Sequence, residues 1–190
     1  MSKLYDLVKD GLSDFEIIDS NPRYIQQLDK IENVRQILRY EQFKNCFREL
    51  DVSYITGETG AGKTRSVMEK YGYQNVYRVT DYDHPFDSYK GQDVIVFEEF
   101  RSSLKIQDML NYLDGYPCEL PCRYNNKLAC FTKVYIITNI SFNQQYINIQ
   151  AESKETWKAF CRRIHHFFTC TKALGMQEET EWVQMTCFEK

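Results

Sequence analysis

From residue 51 onward, short apolar runs alternate with helix-patterned segments, whereas the first 50 residues carry helical periodicity alone. In that early part Ser13-Asp14-Phe15-Glu16 has capping-box spacing, and Asn21-Pro22 offers an N-cap followed by proline at the first helical position. Ile25, Leu28, Ile31, Val34 and Leu38 then recur at steps of three or four, which predicts one apolar stripe on a charged helix. Two arrangements satisfy such a stripe, packing on its own domain or contact with another copy.

Further along, the pattern predicts a strand at 52–56, a glycine-rich turn and a helix at 65–71. Strands at 75–79 and 93–97 follow, separated by a loop rich in Asp, Tyr, Gly and Pro; the second has the composition of a strand buried on both faces. A helix at 106–113, a turn at 114–117 and two short extended pieces around 123–127 come next, the last reading as a hairpin-like projection. A fourth strand at 133–137, a polar loop, a helix at 153–163 and a final strand at 164–169 complete the pattern. The last twenty residues are charged and weakly patterned. The prediction is an α/β fold: a parallel sheet with helical crossovers at 51–172, a helical segment at 1–50 and a tail at 173–190.

Composition narrows this picture. A chain of 190 residues, 43% hydrophobic and 15% aromatic, has enough apolar material for one well-packed domain with a small appendage. Its formal charge of −3 leaves any nucleic-acid contact to a local patch. Seven cysteines at irregular spacing and no visible targeting segment point to reduced thiols in a cytoplasmic protein. The longest apolar runs are strand-sized, so a membrane partner is not expected.

Gly57-Glu58-Thr59-Gly60-Ala61-Gly62-Lys63-Thr64 fits the phosphate-binding P-loop at every specified position, between a predicted strand and a predicted helix. Its glycines let successive backbone N–H groups surround phosphate oxygens, and the helix N-terminus favours the same anion. Lys63 is the residue for the β- and γ-phosphates, and Thr64 offers its hydroxyl to Mg²⁺. Glu98 and Glu99 end an apolar strand, where a parallel sheet opens its ligand crevice. One carboxylate there can hold the Mg²⁺ shell while the other polarises the attacking water. Asn139 ends the next strand and can orient that water or touch the γ-phosphate.

Arg162-Arg163 has two readings, a surface pair or a source of guanidinium for a transferring phosphoryl group, often in a neighbouring subunit. Arg123-Tyr124-Asn125-Asn126-Lys127 suits backbone contacts and base stacking along a single strand, and suits a solvated hairpin nearly as well. Cys118, Cys122 and Cys130, like His165 and His166, lack metal-ligand spacing and read as structural.

The order of these parts resembles a superfamily 3 helicase, specifically the helicase domain of rolling-circle replication initiators from plasmids and circular single-stranded DNA viruses. The resemblance covers residues 50–170 and rests on the wording from Tyr89 to Phe100, Tyr112 to Pro117, Leu120 to Lys127 and Val134 to Asn139, with Trp157 and Phe160 to Ile164 downstream. It implies an AAA+-like fold, ATP and Mg²⁺ at subunit interfaces, a homo-oligomeric and hexameric ring, and movement on single-stranded DNA. Carried over, residues 57–64 and Glu98-Glu99 are the two ATP motifs, Asn139 the polar sensor, and Arg123, Tyr124, Asn125 and Lys127 the DNA-tracking loop. Arg163 best matches the arginine finger, with Arg162 the alternative, and the N-terminal helices match an oligomerisation collar. Complete initiators also carry a nicking domain with a His-hydrophobe-His motif. The histidines here are His84, His165 and His166, which predicts that a nickase, if used, comes from elsewhere.

Overall fold

Ser13 and Glu16 form the reciprocal cap that their spacing predicts: the Ser13 amide donates to Glu16 Oε2 at 2.7 Å, and the Glu16 amide to Ser13 Oγ at 3.3 Å. They open the second helix of a small N-terminal unit in the computed structural model, which describes residues 2–183 and divides between Cys46 and Phe47. The first unit holds α1 (Ser2–Lys9), α2 (Asp14–Ser20), a 3-10 turn at Pro22–Gln27 and α3 (Leu28–Phe43). Val8, Ile17 and Ile31 are its core, with Leu28, Val34 and Leu38 packed against them. The apolar stripe is therefore consumed within its own unit, with one exception. Ile25 lies in the 3-10 turn, whose three-residue period carries it off the α3 face, and it stays 59% exposed.

The second unit is built on a six-stranded sheet. Its strands are β1 (Asp51–Gly57), β2 (Val76–Val79), β3 (Val94–Phe97), β6 (Lys133–Ile137), β7 (His166–Thr171) and β8 (Gly175–Glu178), in the order β2-β3-β6-β1-β7-β8. The first five are parallel and β8 is antiparallel to β7. Such a sheet needs cover on both faces, and the strands supply apolar side chains to each. Ile55, Val96 and Ile137 face α4 (Lys63–Tyr71), which contributes Val67. Val52, Ile95, Phe97, Val134 and Phe167 pack with Met109 of α5 (Ile106–Tyr112) and Trp157 and Phe160 of α7 (Lys154–Arg162). This is the α/β arrangement expected, a mostly parallel sheet flanked by helices; strand β6 lies between β1 and β3.

The structure departs from the sequence pattern in two places. The polar loop after β6 contains a 3-10 turn (Phe142–Gln144) and a short helix, α6 (Ile147–Glu152). The expected tail contributes β8, so the strand predicted at 164–169 is not the last. All four β8 residues are exposed, which hides the alternation that marks a half-buried strand. Residues 184–190 of that tail lie outside the described residues. Before β6, β4 (Glu119–Leu120) and β5 (Lys127–Leu128) pair as an antiparallel ribbon around the predicted projection.

Candidate nucleotide site

The ends of β1, β6 and β3 lie side by side, because β6 separates the other two strands. Backbone bonds knit these ends together, Phe100 N–H to Ile137 O at 2.9 Å and Thr138 N–H to Ile55 O at 3.0 Å, and Glu98 N–H to Val79 O at 3.0 Å adds the end of β2. The P-loop, the Glu98-Glu99 pair and Asn139 leave the sheet from these neighbouring ends. That is where ligands bind in open α/β sheets.

In the P-loop, Gly60 and Gly62 adopt φ of +79° and +87°, left-handed values open to glycine without a Cβ penalty. Gly62 leads directly into α4, so Lys63 stands at the helix N-terminus. The Lys63 side chain is buried, and its ammonium donates to Gly57 O at 2.8 Å and Glu58 O at 2.9 Å. A cation held by neutral carbonyls keeps its full charge for an arriving anion. Thr64 Oγ1 donates to Glu98 Oε2 at 2.8 Å, while Arg78 Nε donates to Glu98 Oε1 at 2.7 Å. The Thr64 hydroxyl and the Glu98 carboxylate form a pair of hard oxygen ligands suited to Mg²⁺ beside a phosphate chain. Tyr82 donates to the Glu98 backbone carbonyl at 2.7 Å. Burial first, then the charges of Glu98 and Glu99, push the Tyr82 phenol up, so it stays a donor.

Glu99 takes φ of +46°, which costs a side-chain-bearing residue of order 1–3 kcal/mol unless its surroundings hold it. Ser102 (+53°) and Tyr146 (+49°) are the other non-glycine residues with positive φ among the described residues. Both belong to one polar knot. The fully buried Gln145 donates from Nε2 to Phe100 O at 2.9 Å and to Tyr54 Oη at 3.0 Å. Its Oε1 accepts from the Ser102 amide at 2.7 Å and the Ser102 hydroxyl at 2.9 Å, and Ser102 Oγ accepts from the Tyr146 amide at 2.7 Å. Gln145 thus ties the segment after β3 to the segment after β6, and both to β1.

Asn139 is bound from the β3 side: Arg101 Nη2 donates to Asn139 Oδ1 at 2.8 Å. An arginine has only donors, so the amide oxygen must face it and the Asn139 NH₂ is directed elsewhere.

Arg162 and Arg163 stand at the opposite end of the sheet. Ser53 of β1 pairs with His166 and Gly57 with Cys170, so the start of β7, which Arg163 precedes, lies about 13 Å along the strand direction from the P-loop end of β1. Arg163 donates to Ala159 O at 3.0 Å and to Asp114 Oδ2 at 2.7 Å, whereas Arg162 is exposed and makes no hydrogen bond or ion pair among the described residues. Nearby, Arg48 is buried and donates to the carbonyls of Phe131 (2.8 Å), Asp114 (3.0 Å) and Tyr116 (3.3 Å). In the β4–β5 projection, Arg123 is fastened to Asp87 by its amide and guanidinium, and Lys127 donates to Asp87 O at 2.6 Å. Tyr124 is 92% exposed and Asn125 is exposed beside it.

Residues 53–140 match a family model described as RNA helicase. The chain is 29% identical over 175 residues to the replication-associated protein of goose circovirus, covering 90% of this chain and 56% of that protein. It is 28% identical over 89 residues to the replication-associated protein of canary circovirus (47% of this chain, 30% of that protein). It is 30% identical over 108 residues to a replication protein of Onion yellows phytoplasma strain OY-M (54% and 28%). These matches support a superfamily 3 helicase domain of the replication-protein type at residues 53–140. The solved S. cerevisiae Hsp104–ADP complex aligns with a TM-score of 0.42 at 15% identity, over 88% of this chain and 38% of that one. The chain spans about half or less of the length of the curated relatives it matches.

Within the helicase domain, the structure brings together Gly57 to Thr64, Glu98, Glu99 and Asn139, and leaves Arg162, Arg163 and the 123–127 projection outside that cluster. Sequence reasoning missed Arg78, Arg101 and Gln145. Arg78 and Arg101 carry a local signal, a cation at a strand end and three positions after Glu98. Gln145 had none, since only its burial distinguishes it from the polar residues around it. Cys118 and Cys122, read as structural, pack against the core, and the Cys122 thiol donates to Phe86 O at 3.4 Å. His165 Nδ1 accepts the Val52 amide at 3.1 Å at the start of β7. No helix among the described residues is long and apolar enough to cross a membrane.

Proposed function

We propose that this domain hydrolyses ATP with Mg²⁺ and uses the energy to move along single-stranded DNA as a homo-oligomeric, hexameric ring in genome or plasmid replication. The observation that carries this reading is the cluster of Lys63, Thr64 with Glu98, Glu99, and Asn139 with Arg101 at three adjacent strand ends, while the next arginine pair lies at the far end of the sheet. A site so built has its phosphate and water-handling groups in one chain and takes its last cation from the neighbour.

Each residue has a distinct part. Lys63 leaves the Gly57 and Glu58 carbonyls for the phosphate oxygens, while Thr64 and Glu98 hold the metal. Mg²⁺, when bound, neutralises charge on the phosphate chain. Glu99 accepts the proton of the attacking water, and Asn139, its oxygen taken by Arg101, donates its NH₂ to the γ-phosphate or that water. An arginine of the adjacent subunit then stabilises the transferring phosphoryl group. Arg163 is the family match, but its guanidinium is engaged with Asp114, and Arg162 is the exposed member of the pair. Tyr124 and Asn125 meet the nucleic acid, with Arg123 and Lys127 holding the projection in shape. The helical unit at the N-terminus serves as the collar through exposed Ile25, Ile37 and Tyr40. The setting is the cytoplasm of a bacterium or the nucleus of a host cell, with any nicking activity supplied by a further domain or protein.

The test is an ATPase assay with and without single-stranded DNA, forked-duplex unwinding, and particle mass with ATP. Stimulated turnover with unwinding by a ring is expected. Turnover by a ring that never unwinds would favour an ATP-driven switch or assembly module. Stimulation by RNA alone would favour an RNA helicase, the description that the matching family model carries.

A further inference from the structure

The carboxylates, the sensor amide and the two arginines described above all lie on one flank of the P-loop, toward β6 and β3. The other flank is the end of β7 and the β7–β8 turn: two hydrogen bonds of Cys170 hold β7 against the loop, and the turn places Lys172 beside it. The Glu58 amide donates to Cys170 O at 3.2 Å, the Cys170 thiol donates to Ala61 O at 3.3 Å, and Lys172 lies over Gly60. A Cβ placed on Gly60 would sit 3.7 Å from Lys172 Cε and 3.9 Å from its Nζ. The turn is itself closed, with the Leu174 amide donating to Thr171 Oγ1 at 3.1 Å and Gly175 pairing back to Thr171. Lys172 is exposed and makes no hydrogen bond or ion pair among the described residues. An ammonium on a four-carbon stem is thus brought to Gly60 of the phosphate cradle, with no ion pair to a carboxylate among the described residues.

We propose that Lys172 is a second phosphate-binding lysine of the nucleotide site, reaching over the P-loop from the β7–β8 turn. This rests on the P-loop being the nucleotide site. Because the water- and metal-handling groups occupy the opposite flank, the bond that breaks lies on their side. Lys172 then serves the phosphates nearer the nucleoside, which ADP and ATP share. Its contribution is uniform binding, present in ground state and transition state alike, so it acts on KM and not on kcat.

The test is titration of the full chain with fluorescent ADP and ATP analogues, alongside steady-state ATPase, for the parent protein, Lys172→Ala, Lys172→Arg and Lys63→Ala. Lys172→Ala is expected to weaken both nucleotides by a similar factor of about ten, as loss of one charge-assisted contact does, and to leave kcat within about two-fold. Lys172→Arg is expected to recover most of the affinity. Unchanged affinity in Lys172→Ala, with binding abolished in Lys63→Ala, would overturn the role of Lys172 and leave the P-loop reading standing. A loss confined to ATP, or to kcat, would overturn its placement on the nucleoside side. A parent protein that binds neither nucleotide would overturn both. Position 172 is an exposed turn, so equal melting temperatures are expected across the Lys172 variants.

Discussion

The two ends of the parallel sheet both collect cations, and they use them in opposite ways. At the end where β1, β6 and β3 finish, Lys63 rests on two neutral carbonyls, Arg78 and Thr64 share one carboxylate, and three side-chain-bearing residues hold positive φ. At the other end, Arg48 donates from both terminal nitrogens to three backbone carbonyls while its buried Nε has no hydrogen-bond partner, and burial lowers its pKa. Arg163 there closes on Asp114 and the end of α7. A buried cation is therefore not in itself a sign of catalysis. What separates the ends is local strain, because the non-glycine residues with positive φ among the described residues all gather at the P-loop end.

The sharpest way to break this contrast is to exchange the variants. Lys63→Ala is expected to lower ATP turnover by a factor of about 10³ while leaving the melting temperature near that of the parent, because its hydrogen bonds within the chain reach only the nearby Gly57 and Glu58 carbonyls. Arg48→Met is expected to do the reverse. It strands the carbonyls of Phe131, Asp114 and Tyr116, and urea denaturation should show a loss of about 3 kcal/mol with kcat per folded molecule retained. Turnover that collapses in folded Arg48→Met would erase the distinction between the ends.

A smaller effect separates the adjacent arginines. Arg163→Ala should cost about 1–2 kcal/mol of stability through the Asp114 pair, read by thermal unfolding. Arg162→Ala should leave stability unchanged and lower turnover in the assembled protein. Mixing Arg162→Ala with Lys63→Ala subunits should restore part of that turnover only if the site is shared between chains. The same mixture made with Arg163→Ala tells which of the two arginines crosses.

The smallest effect is a pH dependence in the β4–β5 projection. The Arg123 amide, and then its guanidinium, hold the Asp87 carboxyl below the ordinary aspartate range. A depressed carboxyl stabilises the folded form above the unfolded value and loses that contribution only as pH falls through the folded value. Amide exchange in residues 122–127 should therefore stay slow through the ordinary aspartate range and quicken only below it. Asp87→Asn should remove the pH step. A step at the unperturbed aspartate value in the parent would show that Asp87 does not anchor the projection.

Much of this site was legible because its signals are local. The P-loop needs glycines at fixed steps, and Val94–Phe97 is apolar throughout because a central parallel strand is buried on both faces, so its end could be placed with its carboxylates. The hidden parts are those that tertiary proximity creates. Gln145 lies in a polar stretch and becomes decisive only because Tyr54, Phe100 and Ser102, far away in sequence, converge on it. β8 escaped because its face is exposed, and Lys172 because its partner glycine lies more than a hundred positions earlier. The apolar stripe misled only at Ile25, where a change of helical period breaks the face.

Gly57 carries one more consequence, for how mutagenesis of this domain is read. A Cβ there would lie 1.9 Å from the Cys170 carbonyl oxygen, and its φ is +140°. The first glycine of the nucleotide loop is thus demanded by the neighbouring strand before any ligand arrives. Loss of activity on replacing it would report a pushed-apart strand pair, so Gly57 is a poor inactivating control. Lys63, whose hydrogen bonds go to the nearby Gly57 and Glu58 carbonyls and not across the β1–β7 pair, is the cleaner choice.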